Sequence, residues 1–253
     1  MFDLSPIQSL AFFDRVEHHA TITSTNDRSR LLAAELPKGS TALVIADEQT
    51  AGRGRGANRW WTGGGSLAFS VLFDPAGRKI ERRYFAMIAL GAAVAIVDTI
   101  EPLVTDRDVG LHWPNDVFVG DRKLAGILVE SLPDGRHIVG IGVNVNNSVA
   151  GAPNELAEIV TTLADLTGQK HDRVEVLATL LTHFHTRLVQ LAESPASLGE
   201  RSHQLCLQRG RRLTVEWANR QTTGICTGIA NDGGLMLDTP AGPQVLYSGV
   251  ILK

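Results

Sequence analysis

Nine residues, Ile138-Val139-Gly140-Ile141-Gly142-Val143-Asn144-Val145-Asn146, constrain what this chain can fold into more than any other stretch. Successive side chains of a strand point to opposite faces, so Val139, Ile141, Val143 and Val145 share one apolar face. The other face carries Gly140, Gly142, Asn144 and Asn146, which is bare backbone ending in two amides. A strand gives up packing on one side where another group comes close to its backbone. That group is either a neighbouring helix or a ligand such as a nucleotide. The segment therefore calls for a sheet with a core on one side and a close-approach surface on the other.

The rest of the chain supplies the other layers. Thr41–Ala46 and Leu67–Phe73 are β-branched and apolar runs that read as buried strands. Ser24-Thr25-Asn26-Asp27 fits a serine-x-x-acid cap, so Arg28–Leu36 reads as a helix ended by Pro37. Glu81–Ile100 is apolar nearly all round and reads as a buried helix closed by Pro102. Leu111–Asn147 reads as strands separated by turns at Gly120-Asp121 and Pro133-Asp134-Gly135. Val174, Leu177, Leu181, Phe184 and Leu188 recur at helical spacing. Past Gly210, Leu213, Val215 and Trp217 alternate with polar residues, and 209–253 reads as a small all-β barrel with Trp217 in its core. With 43% apolar residues among 253, the chain can bury a sizeable core, which excludes a disordered protein.

Two further segments carry the chemistry. Between Gly52 and Gly65 lie six of the 25 glycines, three arginines and two of the four tryptophans. Glycine lets backbone approach a ligand, and arginine offers a charged fork that fits carboxylate or phosphate oxygens. Like charges on a glycine-rich loop repel, so the loop is expected to be mobile when empty and to order around an anion; a plain basic surface loop is the alternative. Gly52-x-Gly54-x-x-Ala57 matches a dinucleotide fingerprint literally, but Trp60-Trp61-Thr62-Gly63-Gly64-Gly65 stands where a helix must begin. The second segment is His112-Trp113-Pro114-Asn115-Asp116-Val117 with Lys123 to Glu130 after it. A hairpin turning at Gly120-Asp121 brings Asn115, Asp116 and Lys123 together. Lys123 opens a nearly apolar strand, where an ammonium needs an anion beside it, either Asp116 in a structural ion pair or a ligand.

Other features exclude functions. The 24 basic and 27 acidic residues give a formal charge of −3, with no overall pull toward nucleic acid. The run Tyr84–Val97 is shorter than the ~20 residues a bilayer span needs, and the N-terminus lacks the layout of an export signal. Cys206 and Cys226 form neither a disulfide framework nor a metal-ligand spacing, so a reducing, cytoplasmic setting is expected. His18-His19 and His183-x-His185 do not share faces suited to a metal, and Asp165, Asp172 and Glu175 read as solvated helix charges.

Taken together, the segments resemble the biotin protein ligase family. The resemblance rests on Ser24-Thr25-Asn26, Gln49, the Gly52–Trp60 loop, Trp113-Pro114-Asn115-Asp116, Lys123-Leu124-Ala125-Gly126-Ile127 and Gly142-Val143-Asn144-Val145-Asn146, in order and register across about 125 residues. It implies an α/β (α+β) catalytic domain over 1–208, a mixed sheet flanked by helices, and an SH3-like barrel over 209–253. It implies an ATP-dependent reaction in which biotin becomes biotinyl-5′-AMP with release of pyrophosphate. The biotinyl group then passes to a lysine of the biotin carboxyl carrier domain of acetyl-CoA carboxylase or a related carboxylase. Ser24, Thr25, Asn26, Gln49, Arg53, Gly54, Arg55, Lys123 and Gly126 would surround biotin, with Lys123 and Arg55 catalytic. Arg55, Trp60, Asn115, Asp116 and Asn144 would serve ATP, whose phosphates would carry magnesium near Asp116 and Asn144. No tightly bound prosthetic group, DNA or membrane is implied, since only 23 residues precede Ser24; a homodimer is admitted.

The sequence departs from the family at His112, where lysine is common, and at Gly56 and Asn58, where arginines are frequent. Lys253 would stand near a nucleotide-contacting basic position of longer relatives. Two alternatives stay open: a lipoate or octanoate transferring enzyme of the same fold, and a non-catalytic biotin sensor.

Overall fold

A computed structural model describes residues 3–56, 58–218 and 220–252. Lys253, and with it the expectation for a terminal basic contact, lies outside the described residues. A short helix α1 (Ser5–Gln8) precedes strand β1 (Arg15–Ile22), helix α2 (Thr25–Glu35) and strand β2 (Ala42–Gln49). Strand β3 (Leu67–Phe73), helix α3 (Met87–Ile100) and strands β4 (Val109–His112), β5 (Asp116–Val119), β6 (Arg122–Ser131) and β7 (His137–Val143) follow. Helices α4 (Asn154–Ala157), α5 (Leu163–Thr167), α6 (Arg173–Glu193) and α7 (Pro195–Gln204) lead to strands β8 (Arg212–Trp217), β9 (Arg220–Ile229), β10 (Leu235–Thr239), β11 (Gly242–Leu246) and β12 (Val250–Leu252).

The first seven strands make one sheet in the order β1-β2-β3-β7-β6-β5-β4. It is mixed, because α2 carries the chain from β1 to a parallel β2 while every other neighbouring pair is antiparallel. Period two sorts its faces. Leu43, Ile45, Phe69, Val71, Val139, Ile141 and Val143 enter the main core with α3 and α6. On the reverse face, Leu32 and Ala33 of α2 pack on Ala42, Val44, Leu72 and Ile138. At the N-terminal end of that helix and past it, register aligns Ala68, Gly142 and Gly126 in one row and Ser70, Gly140 and Leu128 in the next. Small residues on adjacent strands leave a shallow floor there, and this floor positions the site.

Several local expectations change. The helix expected from Arg28 starts at Thr25, and Ser24 holds the N-cap position without a capping side-chain bond. Gln49 Oε1 takes the Thr25 amide instead, at 2.9 Å. The C-terminal end of α2 is held by buried Arg136, which donates to the Ala33 and Leu36 carbonyls. Residues 81–86 are not part of α3, since Arg82–Tyr84 forms a 3-10 turn. Asp172 is no free helix charge; its carboxylate caps α6 through the amides of Val174 and Glu175.

The last five strands form an antiparallel sheet in the order β11-β10-β9-β8-β12, the small SH3-like barrel. Trp217 is 45% exposed rather than in its core, because it ends β8 beside the turn to β9, past the inward-facing Val215. Trp113 joins this unit to the large sheet, with its indole Nε1 donating to Gly233 O at 3.0 Å. No helix among the described residues is long and apolar enough to cross a membrane.

Candidate active site

A cavity of about 1010 Å³ opens over the small-residue floor. The N-terminal end of α2, the Gly52–Trp60 loop, the residues between β4 and β5, and the barrel segment Gly249–Leu252 form its walls. Every residue expected to serve biotin or ATP lines it: Ser24, Thr25, Asn26, Gln49, Arg53, Gly54, Arg55, Trp60, Asn115, Asp116, Lys123, Gly126 and Asn144. Their side chains, however, are committed to different degrees.

One end is polar and buried. Thr25 Oγ1 lies 3.1 Å from Gln49 Oε1 and 2.7 Å from Ser70 Oγ, and Ser70 Oγ lies 2.6 Å from Asn26 Oδ1. The amide oxygen only accepts, so Ser70 spends its single proton on Asn26 and accepts from Thr25 when Thr25 is not donating to Gln49. Asn26 Nδ2 donates to Glu130 Oε2 at 2.8 Å, which leaves this amide holding the wall rather than free for a ligand. Ser70 escaped the sequence reading. Its signal was a lone hydroxyl in an apolar strand, in register with Gly140.

Of the neighbours anticipated for the glycine face, the helix is present over Gly140, and a tryptophan of the Gly/Arg loop lies over Gly142. A Cβ on Gly140 would run into the Asn26 amide at the start of α2, and one on Gly142 would run into the Trp60 indole. The ring of Trp60 therefore lies on the floor, with its Nε1 buried and lacking a hydrogen-bond partner.

Backbone bonds join the two limbs of the Gly52–Trp60 loop, of which Ala57 lies outside the described residues. Trp60 N donates to Gly52 O at 3.0 Å and Gly54 N to Asn58 O at 2.8 Å. The anion that orders Arg53 belongs to the protein, since its guanidinium reaches Asp27 at 2.7 Å and Glu130 at 3.2 Å. Arg55 differs. It donates to Asn115 Oδ1 at 3.3 Å and to Gly249 O at 3.2 Å, and no carboxylate lies within ion-pair distance among the described residues. Burial lowers its pKa, an effect only partly opposed by the charge of Asp116.

Asn115 is consumed in placing Arg55, because its Nδ2 donates to Ile127 O at 2.7 Å while its Oδ1 accepts from the guanidinium. Lys123 Nζ sits 2.7 Å from Asp116 Oδ2 and 6.0 Å from the Trp60 ring centre. The ion pair weighed as purely structural thus exists, but it stands in the cavity wall. Asp116 Oδ1 is buried and without a partner. Asn144 Oδ1 accepts from Asn147 at 2.9 Å. Asn146 faces away from these roles, tied to the backbone of His171 in both directions. His112 stacks on Phe118 with ring centres 3.7 Å apart; burial pushes its pKa down to about 4, and its Nε2 is buried and unpaired. It is neutral at pH 7.

No group of three or more metal-ligating side chains occurs among the described residues. On the edge strand His18 Nε2 lies 3.0 Å from Asp47 Oδ2 and His19 Nε2 lies 3.2 Å from Glu17 Oε2.

A mixed sheet with a glycine floor, a Gly/Arg hairpin above it and a lysine in the wall is the arrangement of an acyl-activating ligase. The chain belongs to the biotin/lipoate A/B protein ligase family, whose description matches residues 18–146. The biotin protein ligase C terminal domain matches residues 210–253. Within that family its similar relatives are biotin ligases, and the chain is a ligase of their kind. It is 32% identical over 243 residues to the bifunctional ligase/repressor BirA of Bacillus subtilis, covering 92% of this chain and 72% of that protein. It is 30% identical over 234 residues to the biotin–[acetyl-CoA-carboxylase] ligase of Paracoccus denitrificans, covering 90% and 95%. The structure of biotin protein ligase from Aquifex aeolicus in complex with biotin and ATP superimposes with a TM-score of 0.82 at 29% identity, covering 95% of this chain and 98% of that one.

Proposed function

We propose that this chain activates biotin with ATP and transfers it to a carrier protein. The observation that carries the reading is the convergence of Arg55, a half-buried cation without a carboxylate partner among the described residues, and Lys123 on one cavity above a glycine floor. Adenylation brings a carboxylate oxygen onto the α-phosphorus while the bond to pyrophosphate breaks, so two anions must meet. At an effective dielectric of ~20, unit charges 4 Å apart repel by about 4 kcal/mol. Fixed cations offset that repulsion and the charge that develops in the transition state.

The residues divide the work. Ser24, Thr25 and Gln49 present the polar end to the biotin head group, with Asn26 and Ser70 fixing that wall. Gly126 and Gly142 allow close approach to the floor. The Gly52–Trp60 hairpin covers the mixed anhydride and limits its hydrolysis, with Trp60 sheltering the adenylate. Asp116 Oδ1, buried and unpaired, fits a magnesium ion carried mainly by ATP phosphates, with Asn144 nearby in the lining. Magnesium would supply further charge neutralisation at the phosphates. In the second step the carrier lysine's amine attacks the acyl carbon and AMP leaves, so no enzyme nucleophile is required. The acceptor is a biotin carboxyl carrier domain, and the setting is the cytoplasm, where the free thiols of Cys206 and Cys226 remain reduced.

Pyrophosphate exchange with biotin or lipoate as the acid tests the reading. ATP-dependent exchange with biotin is expected. Exchange with lipoate alone would place the chain with the lipoate enzymes, and biotin binding without exchange would make it a sensor.

A further inference from the structure

The turn Trp113–Asn115 joins β4 to β5, and its first backbone amide is buried. A buried N–H needs an acceptor. That acceptor is Gln208 Oε1 at 2.8 Å, on a side chain 3% exposed and 95 residues further along the chain. Gln208 lies between the end of α7 and the start of β8, in the segment that leads into the barrel. Backbone bonds fix this segment beside β4. Leu111 N donates to Leu205 O at 2.8 Å, and Leu207 N donates to Leu111 O at 3.1 Å. Gly110 permits the approach, since a Cβ there would fall 2.5 Å from Leu205 O. Two residues past Gln208, Gly210 N donates to Cys226 O of β9 at 2.7 Å, so the same segment is tied into the barrel.

The other end of the turn is stitched to β6. Asn115 Nδ2 donates to Ile127 O at 2.7 Å, and Ile127 N donates back to Asn115 O at 2.9 Å. Asp116 follows directly, 2.7 Å from Lys123 Nζ. Gln208 itself lines the cavity that holds Asn115, Asp116 and Lys123.

We propose that Gln208 is a positioning residue for the nucleotide side of the site: its side-chain oxygen holds the Trp113–Asn115 turn, and with it Asp116, in the geometry that receives ATP. The segment entering the barrel thereby sets part of the site, and the catalytic sheet does not set it alone. This deepens the ligase reading and rests on it for the assignment of Asn115 and Asp116 to ATP. The hold on the turn is a property of the ligand-free chain.

Two measurements on the full-length protein test the proposal. Gln208→Met keeps the reach and bulk of the side chain and removes its amide oxygen. In the ligand-free variant the Trp113 amide should exchange with deuterium about tenfold faster than in wild type, as its protecting bond is lost. In biotin-dependent pyrophosphate exchange the KM for ATP should rise about tenfold, the scale of one hydrogen bond, while kcat changes less. Biotin binding without ATP should be unchanged. A merely structural role would lower the melting temperature without separating ATP from biotin. Gln208→Glu keeps an oxygen acceptor at the same reach and should restore both amide protection and the KM for ATP. Equal changes toward ATP and biotin, or wild-type exchange of the Trp113 amide in folded Gln208→Met, would overturn the proposal. If the amide behaves as expected while the wild-type protein shows no biotin-dependent exchange, the hold on the turn stands and the ligase reading falls. Should Gln208→Met fail to fold, Gln208→Asn, whose oxygen stops one carbon short, carries the same test.

Discussion

Lys123 offers the sharpest test of the chemistry. Its ammonium lies 2.7 Å from Asp116 Oδ2, and Asp116 Oδ1 has no other partner, so the pair can be neutralised as a unit. Lys123→Met keeps the apolar stem and removes the charge. Two consequences follow, and they must be separated. The first is structural: Asp116 is left as a half-buried carboxylate without a cation at contact distance, which destabilises the fold. The second is chemical: one preorganised charge no longer faces the reacting anions. Loss of such a stabiliser costs ~10²–10³ in rate, or about 2.7–4 kcal/mol, close to the ~4 kcal/mol repulsion of two unit charges at 4 Å. Biotin-dependent pyrophosphate exchange should therefore fall by ~10²-fold or more. The double variant Lys123→Met/Asp116→Asn removes the stranded charge, so its melting temperature should recover while exchange stays low. Exchange within about fivefold of wild type in a folded Lys123→Met protein, short of the fall expected on losing a preorganised charge, would refute the reasoning. So would restored exchange in the double variant.

Two further outcomes are expected. In Gly142→Ala the new methyl occupies the place of the Trp60 indole, so the ring must leave the floor; tryptophan emission should shift to the red, with ~1–3 kcal/mol of lost stability, and unaltered emission would show that the ring was never packed there. His112 has a folded-state pKa of about 4, below its ordinary 6.5, so its neutral form is the one the fold favours. Its contribution to stability is complete above pH 6.5 and is lost as pH falls toward 4; His137 and His185 are displaced in the same direction. His112→Gln should flatten the acid limb of a melting-temperature profile, and an identical slope in wild type and variant would contradict the burial of that ring.

The partners of Arg53 illustrate what a linear reading misses. Composition shows three arginines and their mutual repulsion, but the carboxylates that answer Arg53 stand at positions 27 and 130, far away in the chain. Asn115 and Asp116 are adjacent in one motif, yet one amide is spent on Arg55 and Ile127 while one carboxylate oxygen remains unpaired. The capping serine is similar: its hydroxyl makes no cap bond, and the first helical amide, that of Thr25, goes to Gln49 from the end of β2.

Sequence alone determined which face of the glycine strand is core, that a Gly/Arg segment and Lys123 are the candidates for the chemistry, and that a separate β unit follows Gly210. Those properties follow from periodicity and residue type, which are local. Tertiary structure decided which cation the protein pairs and which has no carboxylate at ion-pair distance among the described residues, that Trp60 covers Gly142, and that Trp217 lies at a rim. A charge or a ring acquires its role from whatever stands within a few ångströms of it, and here those neighbours come from strands and helices distant in the chain.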